Sequence, residues 1–151
     1  MAEKNPKCAE AQMIIRKPAA DVFEAFINPE VTKNFWFTKG TGKLEINKKV
    51  TWEWEMYGAS ADITPREIIN DKKILYEWGD PVRTVEFTFR QLDDNSTFVS
   101  VKECGFNQTG DELIEAIKGS TGGFTTVLDG LKAYLEHGIN LNLVADKFLK
   151  N

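Results

Sequence analysis

The sequence predicts an α+β fold in which an antiparallel sheet is covered by one long helix near the C-terminus. Three observations carry that prediction. Over about residues 121–137, Phe124, Leu128, Leu131 and Leu135 recur at steps of four, three and four, with Val127 and Tyr134 beside them, so one apolar stripe runs along a helix. Over about residues 42–106, short apolar runs of period two are separated by turn residues, the pattern of an antiparallel meander. The stripe needs an apolar surface to cover, and those strands are the large one that precedes it. A long helix lying across a curved sheet often leaves a cavity, so this order of elements points to a container for a hydrophobic molecule.

Taken in order, residues 10–16 read as the first strand. Pro18 opens a helix over about 19–27, because a proline in the first turn lacks only an N–H that would have no partner there. Val22, Phe23 and Phe26 form its apolar face. Asn28-Pro29 interrupts it, since the residue before proline avoids the α region, and a second short helix is expected over about 29–35. Gly40-Thr41-Gly42 then turns into a strand at 43–46, and Asn47-Lys48-Lys49 is a tight turn. Residues 50–56 alternate: Val50, Trp52, Trp54 and Met56 on one face, Thr51, Glu53 and Glu55 on the other. A strand over about 61–69 contains Pro65, which predicts an edge or a bulge. Asn70-Asp71 leads into a strand at 73–78 and Gly79-Asp80-Pro81 into one at 83–91, where Val85, Phe87 and Phe89 share a face. The turn at 92–95 leads into 97–104, where Val99 and Val101 share a face with Glu103. A short helix is expected at 111–118, with Gly110 or Asp111 as its N-cap. The run Gly119-Ser120-Thr121-Gly122-Gly123 is expected to break or bend the chain before the long helix. His137-Gly138 reads as the C-terminal signal of that helix. The tail, with Leu141, Val144, Ala145, Phe148 and Leu149 at helical spacing, is expected to pack on the body or on a partner.

At 151 residues the chain is expected to form one domain, 1–151, with its core over about 10–138 and a helical tail at 139–151. A chain of this length buries roughly 70% of its unfolded surface and needs no staples. The net charge of -4 argues against a nucleic-acid role, since phosphate binding draws on Lys and Arg. Two cysteines without a CxxC pair and a single histidine argue against a Cys/His zinc site. A Cys8–Cys104 disulfide is compatible with the sequence, but reduced cysteines in an intracellular, cytoplasmic protein are the expectation. Cys104 then reads as a small buried hydrophobe. The N-terminus has no apolar h-region, so no signal peptide is expected. No run of about eighteen apolar residues occurs, so no membrane span is expected. Asn95-Ser96-Thr97 and Asn107-Gln108-Thr109 match the glycosylation sequon; without secretion they read as chance. The glycine run lacks the Gly-Lys-Ser/Thr ending of a P-loop, and there is no nucleophile elbow, HExxH or Ca-binding loop. No cofactor and no metal are therefore expected, and any acid–base chemistry would fall to Glu, Asp or Tyr.

Several stretches together resemble one family. They are the run from Ile15-Arg16-Lys17-Pro18 through Val22-Phe23 to Phe26, then Asn28-Pro29-Glu30 and Phe35-Trp36-Phe37. Further along come Trp52-Glu53-Trp54-Glu55, Ile74 to Trp78, Cys104-Gly105-Phe106, and Gly122-Gly123-Phe124 onward to Glu136. Over about residues 12–138 they resemble the activator-of-Hsp90-ATPase-like proteins of the START / Bet v 1-like superfamily. Where the family more often has Gly-Trp at the start of the last helix, this chain has Phe124. The resemblance implies the helix-grip fold: about seven antiparallel strands curved around the long helix, with two short helices after strand 1. It implies less about activity, because members include lipid and polyketide binders, aromatase/cyclases and co-chaperones.

If the apolar faces point at the helix, the cavity wall comprises Trp52, Trp54, Met56, Tyr76, Phe87, Phe89 and Val101, with Phe124, Leu128 and Leu131 opposite. The same residues would serve as an ordinary core. Trp36 lies near the entrance as a lid or a packed corner. Glu103 shares parity with Val99 and Val101, which leaves two readings open: an inward carboxylate at the polar end of a pocket, where it needs a partner, or a surface charge at the strand end. Arg66 is a candidate for that partner, with its direction left open by the Pro65 bulge. The first functional reading is the binding of a hydrophobic small molecule, lipid-like or aromatic. A co-chaperone-like module with an Hsp90-like protein partner and an aromatase/cyclase-type enzyme are the alternatives. The oligomeric state is left as monomer or homodimer, the tail residues Leu141, Val144 and Phe148 being the candidate dimer contact.

Overall fold

The computed structural model describes residues 7–149. In chain order the elements are β1 (Cys8–Ile15), α1 (Ala19–Ile27), α2 (Pro29–Thr32), β2 (Lys39–Gly40), β3 (Val50–Trp54), β4 (Ala59–Ile69), β5 (Lys73–Trp78), β6 (Arg83–Asp93), β7 (Ser96–Cys104), α3 (Gly110–His137) and α4 (Leu143–Asp146). The strands form one sheet in the order β1-β7-β6-β5-β4-β3-β2, every pairing antiparallel. This is the seven-stranded helix-grip fold: the sheet holds α3 against its inner face, and α1 and α2 close one end.

Alternation decides which side chains meet α3. Ile63, Ile74, Tyr76, Val85, Phe87, Val99 and Val101 point inward and are almost fully buried. Phe124, Val127, Leu128 and Leu131 of α3 meet them, as the stripe predicts. On β1 the inward residues Ala9 and Ala11 are small, and α3 passes alongside that strand. There Lys132 Nζ donates to the Ile14 carbonyl (2.8 Å), the Arg16 N–H donates to Glu136 Oε2 (2.7 Å), and the two helix side chains pair with each other (2.7 Å). Two polar groups at the end of an edge strand are thereby satisfied by the helix.

The structure corrects the sequence reading in four places and, at Pro65, locates an irregularity that it expected. First, α3 is one continuous 28-residue helix, with Thr109 rather than Gly110 or Asp111 at its N-cap position. The glycine run does not break it, because glycines lower helix propensity without forbidding helix. Second, 43–46 is not a strand: Leu44 is buried, its N–H donates to the Ile27 carbonyl, and the sheet edge is the short β2. Third, β3 ends at Trp54, where a single 3₁₀ turn (Glu55–Tyr57) closes on Gly58 in the left-handed region. Met56 therefore leaves the strand face. Fourth, the bulge on β4 lies between Pro65 and Glu67, beyond the last residue that pairs with β3. Pro65 thus sits where no N–H is needed on that side. Fifth, Cys8 and Cys104 face each other in the β1–β7 register, with Cα atoms 4.5 Å apart, and are joined by a disulfide. The expectation of reduced cysteines, and of Cys104 as a mere hydrophobe, is corrected by that register.

Candidate functional site

Most of the space between sheet and helix is filled. Rings pack edge to face or stacked: Phe37 on Trp52 at 4.7 Å, Phe26 on Phe87 at 4.4 Å, Trp52 against Tyr76 at 5.5 Å. Of the residues predicted to line a cavity, Trp52, Tyr76, Phe87, Phe89, Val101, Leu128 and Leu131 belong to this core. The gap left among Trp36, Trp52, Tyr76 and Phe87 is too small for a water molecule.

One cavity of about 210 Å³ remains, at the end of the sheet where α3 begins its packed stretch. Its helix wall is built from small residues, Gly119, Ser120 and Gly123, together with Phe124, Thr126 and Val127. A side chain at Gly123 would meet nothing within 4 Å of its Cβ. The cavity exists because the run that was expected to break the helix leaves it without bulk. Trp36 and Trp78 close the inner side, and Glu103 forms the floor.

Glu103 is 3% exposed and fully engaged. Its Oε2 accepts from Trp78 Nε1 (2.7 Å) and Arg83 Nε (2.8 Å), and its Oε1 accepts from Ser120 Oγ (2.6 Å). Burial of a carboxylate is tolerable on these terms: three donors, one of them the Arg83 cation, replace the lost water. Arg83 fits because Gly79 lies against its guanidinium; a Cβ there would sit 2.8 Å from Nη1. Two strands away on the same cross-strand row lies Tyr76, paired through Val85. Its phenol is pushed well above the usual tyrosine range, first by burial and then by the charge of Glu103. Among the described residues its hydroxyl has no hydrogen-bond partner.

The tail roofs the cavity. Val144, Lys147 and Phe148 line it, and Tyr57 holds them there. The Tyr57 hydroxyl donates to the Val144 carbonyl (2.6 Å) or the Ala145 carbonyl (3.1 Å), and its ring meets Phe148 edge-on at 6.2 Å. The side chains of Val144 and Phe148, expected at a dimer contact, thus border the cavity, leaving Ile139, Leu141 and Leu149 as the tail's other exposed apolar groups. Tyr57→Phe removes the latch while keeping the ring. Amide exchange over 144–148 is expected to rise about fivefold, the equivalent of one neutral hydrogen bond of about 1 kcal/mol, with an unchanged melting point; unchanged exchange would contradict the latch.

Of the predicted site residues, then, the structure brings together Trp36, Glu103 and Phe124. Trp54 is half-buried beside the core and lines an open groove with Tyr57 and Trp78. Met56 lines a separate surface crevice with residues of the tail. Arg66 points outward, bonding Glu77 (3.0 Å) and Asn47 (2.9 Å), because Ile63 and Pro65 face inward and alternation leaves Arg66 on the solvent face. Trp78, Arg83, Ser120 and Tyr57 were missed. Trp78 and Arg83 share strand parity with Tyr76 and Val85 and could have been found by it. Ser120 lies four residues before Phe124 and becomes visible once the helix is continuous. Among the described residues no three His, Cys, Asp or Glu side chains converge as metal ligands, and no helix is long and apolar enough to cross a membrane.

Comparison with known proteins gives one family and a set of structures. The family model described as "Activator of Hsp90 ATPase homolog 1-like protein" matches residues 16–136. The crystal structure of protein SSP2350 from Staphylococcus saprophyticus is 28% identical, with a TM-score of 0.79 over 89% of this chain and 95% of that one. The solution structure of the Aha1 dimer from Colwellia psychrerythraea is 15% identical, with a TM-score of 0.73 over 87% of this chain and 97% of that one. DynU16, a protein of the dynemicin biosynthetic locus, is 16% identical, with a TM-score of 0.77; the match covers 90% of this chain and 49% of that one. A comparison with curated protein sequences gave no match.

Proposed function

The chain belongs to the activator of Hsp90 ATPase homolog 1-like family, and from that premise we propose that it binds a small, largely apolar molecule in the cavity between α3, Glu103 and the tail. The fold is compatible with ligand binding or cyclase-like roles. The observation that carries the finer reading is the cavity itself: about 210 Å³ left by the small side chains of Gly119, Ser120 and Gly123, open to solvent at its mouth, beside an otherwise filled core. An apolar cavity of about 150 Å³ holds a benzene ring, so this one suits a substituted aromatic molecule or the end of a longer chain. The Ser120 hydroxyl offers it a polar contact, and Lys147 lines the cavity from the tail.

The reading is of a binder rather than a catalyst. A general base needs a free lone pair directed at its substrate, and the Glu103 oxygens already accept three hydrogen bonds.

Gly123→Leu tests the proposal. The new side chain has open space at its Cβ, and replacing an interior helical glycine gains up to about 1 kcal/mol of helix propensity. The variant is expected to melt at or above the wild-type temperature and to bind 1-naphthol at least tenfold more weakly, read by quenching of the cavity tryptophans. Equal affinity in the two proteins would place any binding elsewhere.

A further inference from the structure

We propose that the ligand carries a neutral hydrogen-bond acceptor, a ketone or ester carbonyl on an aromatic body, and that the Tyr76 hydroxyl is the donor that reads it. This rests on the cavity reading above and adds the chemical class of its occupant.

Three observations meet at Tyr76. Its side chain is 1% exposed, and its hydroxyl is the buried side-chain polar atom without a partner among the described residues. A buried donor left unpaired costs about 1–3 kcal/mol, which a ligand acceptor would recover. Its neighbours are rings: Trp52, Trp78 and Phe87, at 5.5, 5.5 and 6.4 Å. What completes the hydroxyl must therefore itself be mostly aromatic or apolar.

Trp36 is the residue common to the linings of the 210 Å³ cavity and of the tight gap beside Tyr76. It is carried on the loop after α2 rather than on a strand, and it packs edge-on to Trp78 (6.3 Å) and Phe124 (5.8 Å). The proposal requires that indole, packed closest on Trp52 at 4.9 Å, to rotate on ligand entry so that the two spaces join. A carbonyl entering from the cavity then reaches the Tyr76 proton while its aromatic body stays against Phe124 and Val127.

The charge of the acceptor follows from its surroundings. A ligand carboxylate beside Tyr76 would need a cation; Arg83 is already taken by Glu103, and Lys147 lines the cavity but not the gap beside Tyr76. Burial and the same carboxylate keep the proton on Tyr76 across the physiological range, so it stays a donor.

The test compares acetophenone with ethylbenzene, near-isosteric probes with and without the carbonyl, on the wild type and Tyr76→Phe by calorimetric titration. Tyr76→Phe is expected to weaken acetophenone five- to twentyfold and to leave ethylbenzene within twofold. The carbonyl stretch of bound acetophenone is expected at lower frequency in the wild type than in the variant. Equal effects on both probes, or none, would overturn the inference and leave the cavity reading intact. If the wild type binds neither probe, the cavity reading falls and takes the inference with it. Tyr76→Phe is expected to melt no lower than the wild type, since it deletes a hydroxyl without a partner. A loss of several degrees would show that the free protein already satisfies that group, and would also overturn the proposal.

Discussion

Reduction of the Cys8–Cys104 bond lowers the thermal unfolding midpoint by roughly 5–15 °C. The bond closes a loop with a sequence separation of 96, which includes every strand after β1. Loop-closure entropy for about 100 residues gives an upper value near 5 kcal/mol, and measured disulfides typically contribute about 2–4. For a chain of this size each kcal/mol shifts the midpoint by roughly 2–4 °C. Calorimetry with and without reductant measures it, and the Cys8→Ser/Cys104→Ser protein serves as control, since reductant should then change nothing. Coincident melts of the oxidised and reduced wild type would refute the expectation. In a reducing compartment the chain does without this increment and relies on the β1–β7 ladder and the α3 contacts.

Arg83→Met is expected to destabilise the protein by about 2–4 kcal/mol, a shift of roughly 1–2 M in the urea midpoint. The change leaves Glu103 at 3% exposure with its charge uncompensated. Arg83 is itself 27% exposed, so part of its own solvation survives folding, and the expected loss lies below the roughly 3–5 kcal/mol for breaking a fully buried pair. The informative comparison is the double variant Arg83→Met/Glu103→Met. It removes both charges from a place where apolar groups pack, and should recover most of the loss, because a buried pair replaced by well-packed apolar groups is often neutral or better. Ser120 and Trp78 then keep unused donors, which limits the recovery. If Arg83→Met alone were harmless, the carboxylate would have to be neutral or reached by water, and the floor of the cavity would need another description.

The sheet and the helix were legible because period two and the four-three-four steps are properties of single segments. Phe87, Val101 and Leu128 could be placed without knowing what they touch. Glu103 was only half legible: parity set it on one face of its strand and left open whether that end met the helix or solvent. Its partner was not legible: Arg66 and Arg83 are equally plausible by charge, and the choice depends on an inward Pro65 that leaves Arg66 facing solvent and a glycine that makes room for Arg83. The site itself was hidden by the glycine run. Read locally, Gly119-Ser120-Thr121-Gly122-Gly123 disfavours helix; in the folded chain the flanking turns and the packing of Phe124 onward carry the helix through it. The tail's role was hidden because the Tyr57–Val144 contact joins residues far apart in the chain, and neither segment announces the other. The disulfide followed from a β1–β7 register that no short segment encodes.

The clasp of Lys132 and Glu136 on the end of β1 bears on how copies of this protein can meet. A bare strand edge is a template onto which another chain can add, and growth of that kind ends in cross-β polymer. Here the Ile14 carbonyl and the Arg16 amide are occupied from within the same molecule, and the opposite border of the sheet, β2, is only two residues long. The sheet is thus closed to lengthening at the Ile14–Arg16 end of β1 and offers little at β2. Main-chain pairing, which has no natural stopping point, is confined to the remaining part of the β1 edge, while side-chain surfaces can close on a fixed number of subunits.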